Sequence, residues 1–422
     1  MQVDRSIAPP IHLISKIELP KPERILLSNG IPVYISNMGT QEVMKLQIVM
    51  KAGRPYEDTQ MAARATGRLL REGTKNRTSA QIAEAFDFYG ASVSLPTNLD
   101  YSSLVYYSMT KHFPKLIALV TELLTQPIFP EKELTTFKEN SKRRLQIDLS
   151  KNDVVAYRKI TELIFGEAHP YGYNSTAEKY DGIKRSNLIH HFQKNFHANH
   201  CIIFLSGKIT ASILQLLDQH LGQIPIGTAQ TPIFPTPNAT PPQKSQFILP
   251  NSLQKAIRIG KRSMTRNHPD YIGFMVVNTI LGGYFGSRLM MNIREDKGYT
   301  YNIYSLQDTM QQDACFYIST EIGNEFLKPT LQEIYLELDR LQTDLVPSEE
   351  LNMVKNYLLG NMLNMVDGPF KVTNVVKTFV LEDRSFEGFQ QMVDLIRSIS
   401  AQEIRDLAQK YLKSEDMWEV VV

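Results

Sequence analysis

A chain of 422 residues exceeds the span of one ordinary hydrophobic core, so two domains of roughly 200 residues each are the first expectation. Hydrophobic residues make up 42% and charged residues 21%, which excludes a disordered chain, and 46 Lys plus Arg against 44 Asp plus Glu leave a net charge of +2. So small and evenly spread a charge gives nucleic acid nothing to bind, and no apolar run reaches the ~18 residues that a membrane span needs.

The chain opens with "MQVDRSIAPPIHLISKIELPKPERILLSNG", where Pro and charged residues break up any apolar core of signal-peptide length, and a cytoplasmic protein is expected. Strand candidates "RILLSNGIPVYISNM" and "VMKLQIVMKAG" follow, then an acidic turn, "PYED". Next comes an amphipathic helix in "MAARATGRLLREGTKNRT", residues 61 to 78, ending at a Gly-Thr turn. Arg64 and Arg68 stand four apart, hence on one face, and Gly67 sits where a better helix former would be expected. Further helices are predicted at "SAQIAEAFDFYGA", "FPKLIALVTELLTQ" and "PEKELTTFKENSKRRLQIDLSK", and the half closes with a helix feeding a strand, "RSNLIHHFQKNFHANHCIIFLSG".

A Pro-rich linker, residues 225–245, separates an N-terminal domain at 1–224 from a C-terminal domain at 246–422; its segment "PIGTAQTPIFPTPNATPP" has no helical period. The second half repeats the plan of the first. Strand candidates "SQFILPN" and "KAIRIGKRS", a turn "RNHPD", an apolar helix "YIGFMVVNTILGGYFGSRL", an alternating strand "YTYNIYS" and a helix "PTLQEIYLELDRLQTDL" precede the closing "SISAQEIRDLAQKYLKSEDMWEVVV", in which Ser400 and Glu403 form a capping-box signature. Strands and helices mix without strict alternation, which favours an α+β fold: two duplicated domains, each a largely antiparallel sheet with helices on one face.

Most residues that invite a chemical reading also have a plain one. Cys201 and Cys315 have hydrophobic neighbours and read as buried strand thiols. His197 and His200, beside Cys201 at a helix-to-strand junction, lack a second ligand pair and read as caps or core, and His169 in "HPYG" reads as a turn residue. "LGGYFGSRL" lacks the Gly-Lys-Ser/Thr ending of a phosphate loop, so Gly282, Gly283 and Phe285 read as a helix break with substrate contact. Arg64 and Arg68 form either a solvated face, with Glu72 as a salt-bridge partner for Arg68, or a chamber wall attractive to acidic side chains.

The duplicated halves, the linker and the motifs "VMKAGRPYED", "LLREGTKNRT", "HPYGYNSTAEKYDGI", "FHANHCIIFLSG" and "LGGYFGSRLMMNIREDKGYTYNIYS" together resemble the insulinase/pitrilysin superfamily of zinc metallopeptidases. Within it, the chain most resembles the short two-domain members that include mitochondrial processing peptidase and its bacterial relatives. That resemblance implies an inverted zinc motif, His-x-x-Glu-His, just before the Gly-Thr turn; here those positions hold Arg64, Gly67 and Arg68. The family's further glutamate ligand aligns near Arg144 or Leu145, with Glu139 a helical turn away. Arginine offers no lone pair to a metal and glycine no base, so the resemblance implies a chain with no zinc of its own.

The family's Arg-Glu-x-x-Gly-x-x-Tyr pattern is kept as Arg294, Glu295, Gly298 and Tyr301. By resemblance, Arg294 and Tyr301 assist the zinc site of a homologous, zinc-motif-containing partner in a heterodimer acting on an extended peptide. The plain alternative is a helix-end salt bridge and a core tyrosine. At the level of the whole chain, the alternatives are a structural assembly protein of this fold and a peptide-capturing homodimer.

Overall fold

A computed structural model of the chain describes residue 6 and residues 16–235, 241–250 and 252–422. Parts of the opening stretch (1–5, 7–15), of the linker (236–240) and the final Asn251 of "SQFILPN" lie outside the described residues.

Apolar alternation in the first half yields strands β1 (Glu23–Leu26), β2 (Pro32–Asn37), β3 (Val43–Met50), β4 (Ser92–Ser94), β5 (Ser102–Met109) and β6 (Cys201–Gly207). They form a six-stranded sheet in the order β1-β2-β6-β3-β5-β4, antiparallel except for the β2/β6 pair. Between them run α1 (Ala62–Leu69), α2 (Ser79–Phe88), α3 (Phe113–Thr125), α4 (Glu131–Leu149), α5 (Asn152–Phe165), α6 (Ala177–Gly182) and α7 (Arg185–Asn195), and α8 (Ala211–Leu221) follows the last strand.

The second half builds β7 (Lys244–Gln246), β8 (Gln254–Ser263), β9 (Thr300–Thr309), β10 (Ala314–Gly323) and β11 (Trp418–Val421) into a five-stranded sheet ordered β7-β11-β8-β10-β9. Its helices are α9 (Tyr271–Asn278), α10 (Leu327–Thr343), α11 (Ser348–Met365), α12 (Pro369–Leu381), α13 (Glu387–Ser398) and α14 (Ala401–Tyr411). The capping box at Ser400 forms: its side chain accepts from the Glu403 amide at 3.2 Å, and the Ser400 amide donates to the Glu403 carboxylate at 2.7 Å.

The duplication is visible in the connectivity. Without β1, the first order matches the second strand for strand, down to the single parallel pair, β2/β6 in one and β7/β11 in the other. Each sheet carries its own helices on one face, and the opposite face receives one helix from the other half. On β3, Met44, Leu46 and Ile48 face the first core, while Lys45, Gln47 and Val49 point the other way. That second face is covered by α12, whose Val372 and Val376 cluster with Val49, Tyr101 and Phe204, and whose Asn374 accepts a hydrogen bond from Lys45 Nζ at 2.9 Å.

The reverse exchange places α5 on the second sheet. Ala156, Ile160 and Ile164 cluster with Ala256, Tyr317 and Val420, and Asp153 pairs with the buried Arg258 of β8. Further bonds tie the halves together: Tyr157 donates to Asp308 at 2.9 Å, Tyr101 to the Leu381 carbonyl at 3.2 Å, and the Gln311 amide to Asp100 at 3.1 Å.

Candidate functional site

Helix α1 is short and anchored from outside. Glu57, in the acidic turn, accepts hydrogen bonds from the Met61 and Ala63 amides at 3.2 and 2.9 Å and from the Tyr173 hydroxyl, so it serves as the N-terminal cap of α1. Burial raises the Glu57 carboxyl above its usual range, against the opposing pull of Tyr173, the Ala63 amide and Arg54. Arg54 lies over the Tyr173 ring at 4.1 Å and donates to the Pro170 and Tyr173 carbonyls, both at 3.0 Å, which fixes the "HPYGY" loop against the turn.

The apolar stripe of α1 (Ala62, Ala63, Ala65, Leu69) is buried, while Arg64 and Arg68 are exposed to a cavity of about 730 Å³. Arg144 and Leu145 of α4 line the same cavity; Glu139 does not. The structure therefore gathers Arg64 and Arg68 on one side of the cavity and Arg144 and Leu145 on the other, while Gly67 is buried away from it.

Zinc does not fit this donor set. Beyond the missing ligands, the space a base would need is filled: a Cβ on Gly67 would lie 2.1 Å from Thr97 Oγ1 and 3.1 Å from Ser102 Oγ. Among the described residues no group of three or more His, Cys, Asp or Glu could hold a metal ion. His197 and His200 are buried with ring centroids 4.4 Å apart, and His200 accepts from the Gln230 amide at 2.8 Å, a packing arrangement at the start of β6. His169 accepts from the Tyr171 amide at 3.1 Å, within its turn.

The expected Arg68–Glu72 pair is not formed. Helix α1 ends at Leu69, so Glu72 lies beyond the helical register that brings residues four apart together, and its partner is Arg71 at 3.8 Å.

The Arg-Glu-x-x-Gly-x-x-Tyr segment has a local explanation. Residues Met290–Asp296 form a π-helical turn, and Gly298, at φ +66°, takes the left-handed conformation that ends it, with its amide donating to the Arg294 carbonyl at 3.0 Å. The chain reverses there into β9, the edge strand of the second sheet, and Tyr301 falls at its start. Arg294 is thereby brought near two rings, its guanidinium carbon 4.9 Å from the Phe285 centroid and 5.1 Å from that of Tyr301.

Tyr301 is no core residue: it is 87% exposed, and Phe285 is 59% exposed. Arg294 also contacts Glu295 at 3.3 Å. Of the two glycines, Gly283 is exposed, whereas Gly282 is buried and an added Cβ would meet the Ser305 amide of β9 at 2.4 Å, so close packing accounts for it. The cavity beside Tyr301 also includes Asp153, and the next residue, Val154, lines the α1 cavity, so the first turn of α5 borders both. Arg158 and Thr97 are site residues that sequence reasoning missed. Neither belongs to a local motif; only the tertiary fold brings them to α1.

Residues 182–358 match the family model described as the peptidase M16 inactive domain. The chain is 21% identical to the Bacillus subtilis "uncharacterized zinc protease YmxG" over 93% of this chain and 96% of that protein. It is 23% identical to a Helicobacter pylori protein named "non-peptidase homolog YmxG", covering 85% and 84% of the two chains. The crystal structure of a peptidase M16 inactive domain from Pseudomonas fluorescens superposes with a TM-score of 0.87 at 21% identity, covering 95% of this chain and 97% of that one. No helix among the described residues is long and apolar enough to cross a membrane.

Proposed function

We propose that this chain, a relative of the M16 peptidases without their zinc motif, is the substrate-binding, zinc-free subunit of a heterodimeric metallopeptidase. A homologous partner carries the zinc motif and the base; this chain supplies Arg294 and Tyr301. The observation that carries the reading is the arrangement of Phe285, Arg294 and Tyr301, with both rings against the guanidinium and the Tyr301 side chain open to solvent at the end of an edge strand.

A guanidinium and a phenol so placed can donate hydrogen bonds to a peptide carbonyl and to the oxyanion that develops on it. Neither needs a metal ligand in its own chain. The edge of β9 offers main-chain groups to an extended peptide by strand addition, which suits an unfolded peptide rather than a folded protein. The α1 side of the chain, with Arg64 and Arg68 at the zinc-ligand positions and Gly67 closed off by Thr97, contributes no hydrolytic chemistry.

The test is to assay the purified chain on a fluorogenic peptide alone and mixed with its zinc-motif partner. The chain alone is expected to be inactive and the mixture active, with Tyr301→Phe lowering the turnover of the mixture about a hundredfold and Arg294→Ala at least as much. Chelator-sensitive activity from this chain alone overturns the reading. Full activity of the mixture with Arg294→Ala plus Tyr301→Phe points to a scaffold instead.

A further inference from the structure

We infer that the cavity on α1 is a carboxylate-binding subsite, which takes acidic groups of a peptide at the place where the catalytic metal of related enzymes would be held. The peptide as ligand class rests on the reading above; the charge preference rests on the cavity itself.

Four arginines line the cavity: Arg64, Arg68, Arg144 and Arg158. Two are engaged. Arg144 pairs with Asp148 at 3.1 Å, and Arg158 donates to the Ser175 carbonyl at 2.6 Å and its hydroxyl at 3.3 Å. The cavity's acids are Glu72, Glu133 and Asp148. Glu72 is held by Arg71 at 3.8 Å, and Asp148 by Arg144 and by Lys151 at 3.5 Å.

Arg64 and Arg68 are left over. Among the described residues neither makes a hydrogen bond or an ion pair within the chain, although both face the cavity from one helix face. Like charges one helical turn apart repel, and among the described residues only Glu133 of the lining acids lacks a basic partner. A carboxylate entering between the two guanidinium groups relieves that repulsion and gains charge-assisted, fork-shaped hydrogen bonds. The walls beside them, Leu69, Leu95, Phe137 and Leu145, suit the aliphatic parts of a peptide rather than a bare inorganic anion.

The test needs neither partner nor zinc. Binding of a fluorescein-labelled alternating Glu-Ala peptide amide is measured by anisotropy with the full chain, alongside a Gln-Ala amide and a Gln-Ala peptide with a free C-terminal carboxylate. At least one carboxylate-bearing peptide is expected to bind about tenfold tighter than the Gln-Ala amide. Preference for the first assigns the subsite to acidic side chains, and preference for the second to a peptide C-terminus.

Arg64→Gln with Arg68→Gln should abolish the preference. Arg64→Glu with Arg68→Glu should turn it toward a Lys-Ala peptide. Both side chains are exposed, so the variants should keep the parent's melting profile, which is checked by circular dichroism. Equal affinity for all three peptides, or a preference that survives the Gln variants, overturns the subsite. Because no hydrolysis is involved, that outcome leaves the Arg294 and Tyr301 assay free to succeed or fail independently.

Discussion

Gly67→Ala tests whether the space at Gly67, where a base would stand, is filled rather than merely lacking a side chain. In an open helix position the exchange stabilises by about 1 kcal/mol, because alanine is the better helix former. Here the new Cβ meets Thr97 Oγ1 at 2.1 Å, Ser102 Oγ at 3.1 Å and Thr97 Cβ at 3.4 Å. Rotating the Thr97 hydroxyl away gives up its 3.4 Å contact with Ser102 and still leaves Ser102 Oγ tight against the new Cβ at 3.1 Å. Overpacking of this kind costs about 1–3 kcal/mol, so the net change should be a loss of about 1 kcal/mol, or a fall of about 2–4 °C in the melting midpoint.

Thr97→Ala removes the obstructing oxygen. In that background Gly67→Ala should be neutral or stabilising, and the double-mutant cycle should show about 2 kcal/mol of coupling. The assay is thermal and urea unfolding of the four proteins. Stabilisation by Gly67→Ala with Thr97 in place would refute the filled Gly67 position, and additivity would show that the two residues do not compete for the same space.

Two further predictions concern the exchange of helices between the halves. Arg258 is 1% exposed and its carboxylate partner is Asp153 of α5, so Asp153→Ala leaves a buried guanidinium without a counter-charge and should cost about 3 kcal/mol, whereas Arg258→Met should cost much less; urea unfolding decides, and equal losses would contradict the ranking. Lys45, under α12, is lowered from 10.5 to about 8 by burial and by Lys377 nearby. The folded chain therefore binds fewer protons than the unfolded one between pH 8 and 10.5, and Lys45 makes stability rise with pH across that window. Below it the buried ammonium costs about 2 kcal/mol, allowing for residual solvent screening, so Lys45→Met should raise the urea midpoint at neutral pH and flatten the rise; an unchanged pH profile would refute this.

Those two buried cations mark the limit of what the sequence discloses. Alternation placed the strands, and the repeated order of motifs placed the duplication. Yet Lys45 and Arg258 stand on strand faces that read as polar, and both are covered by a helix from the other half. Periodicity identifies an amphipathic segment but not the sheet it covers, so the exchange of α5 and α12 had no sequence signal. The candidate site divides in the same way. Arg294 and Tyr301 stood out only through the family pattern that their segment resembles, and the turn at Gly298 between them is a local event. Thr97 beside Gly67 and the unformed Arg68–Glu72 pair depend on tertiary packing and on where α1 stops.

The two sides of the molecule have been treated differently, and the difference favours a division of labour over scaffolding. A scaffold gains stability by filling cavities, pairing surface arginines and burying exposed rings. Around Gly67 the chain has done that, with Thr97 packed into the space a longer side chain would need. At Arg64 and Arg68 it has not: two like charges remain on one helix face, and neither has a carboxylate partner among the described residues. Beside β9 it has not either, since Phe285 and Tyr301 stay exposed around Arg294 and, among the described residues, the edge strand ends its sheet without a neighbour. Stability alone explains the first of these and leaves the other two as costs; under the proposed function, a peptide crossing from β9 to the α1 cavity gives both a use.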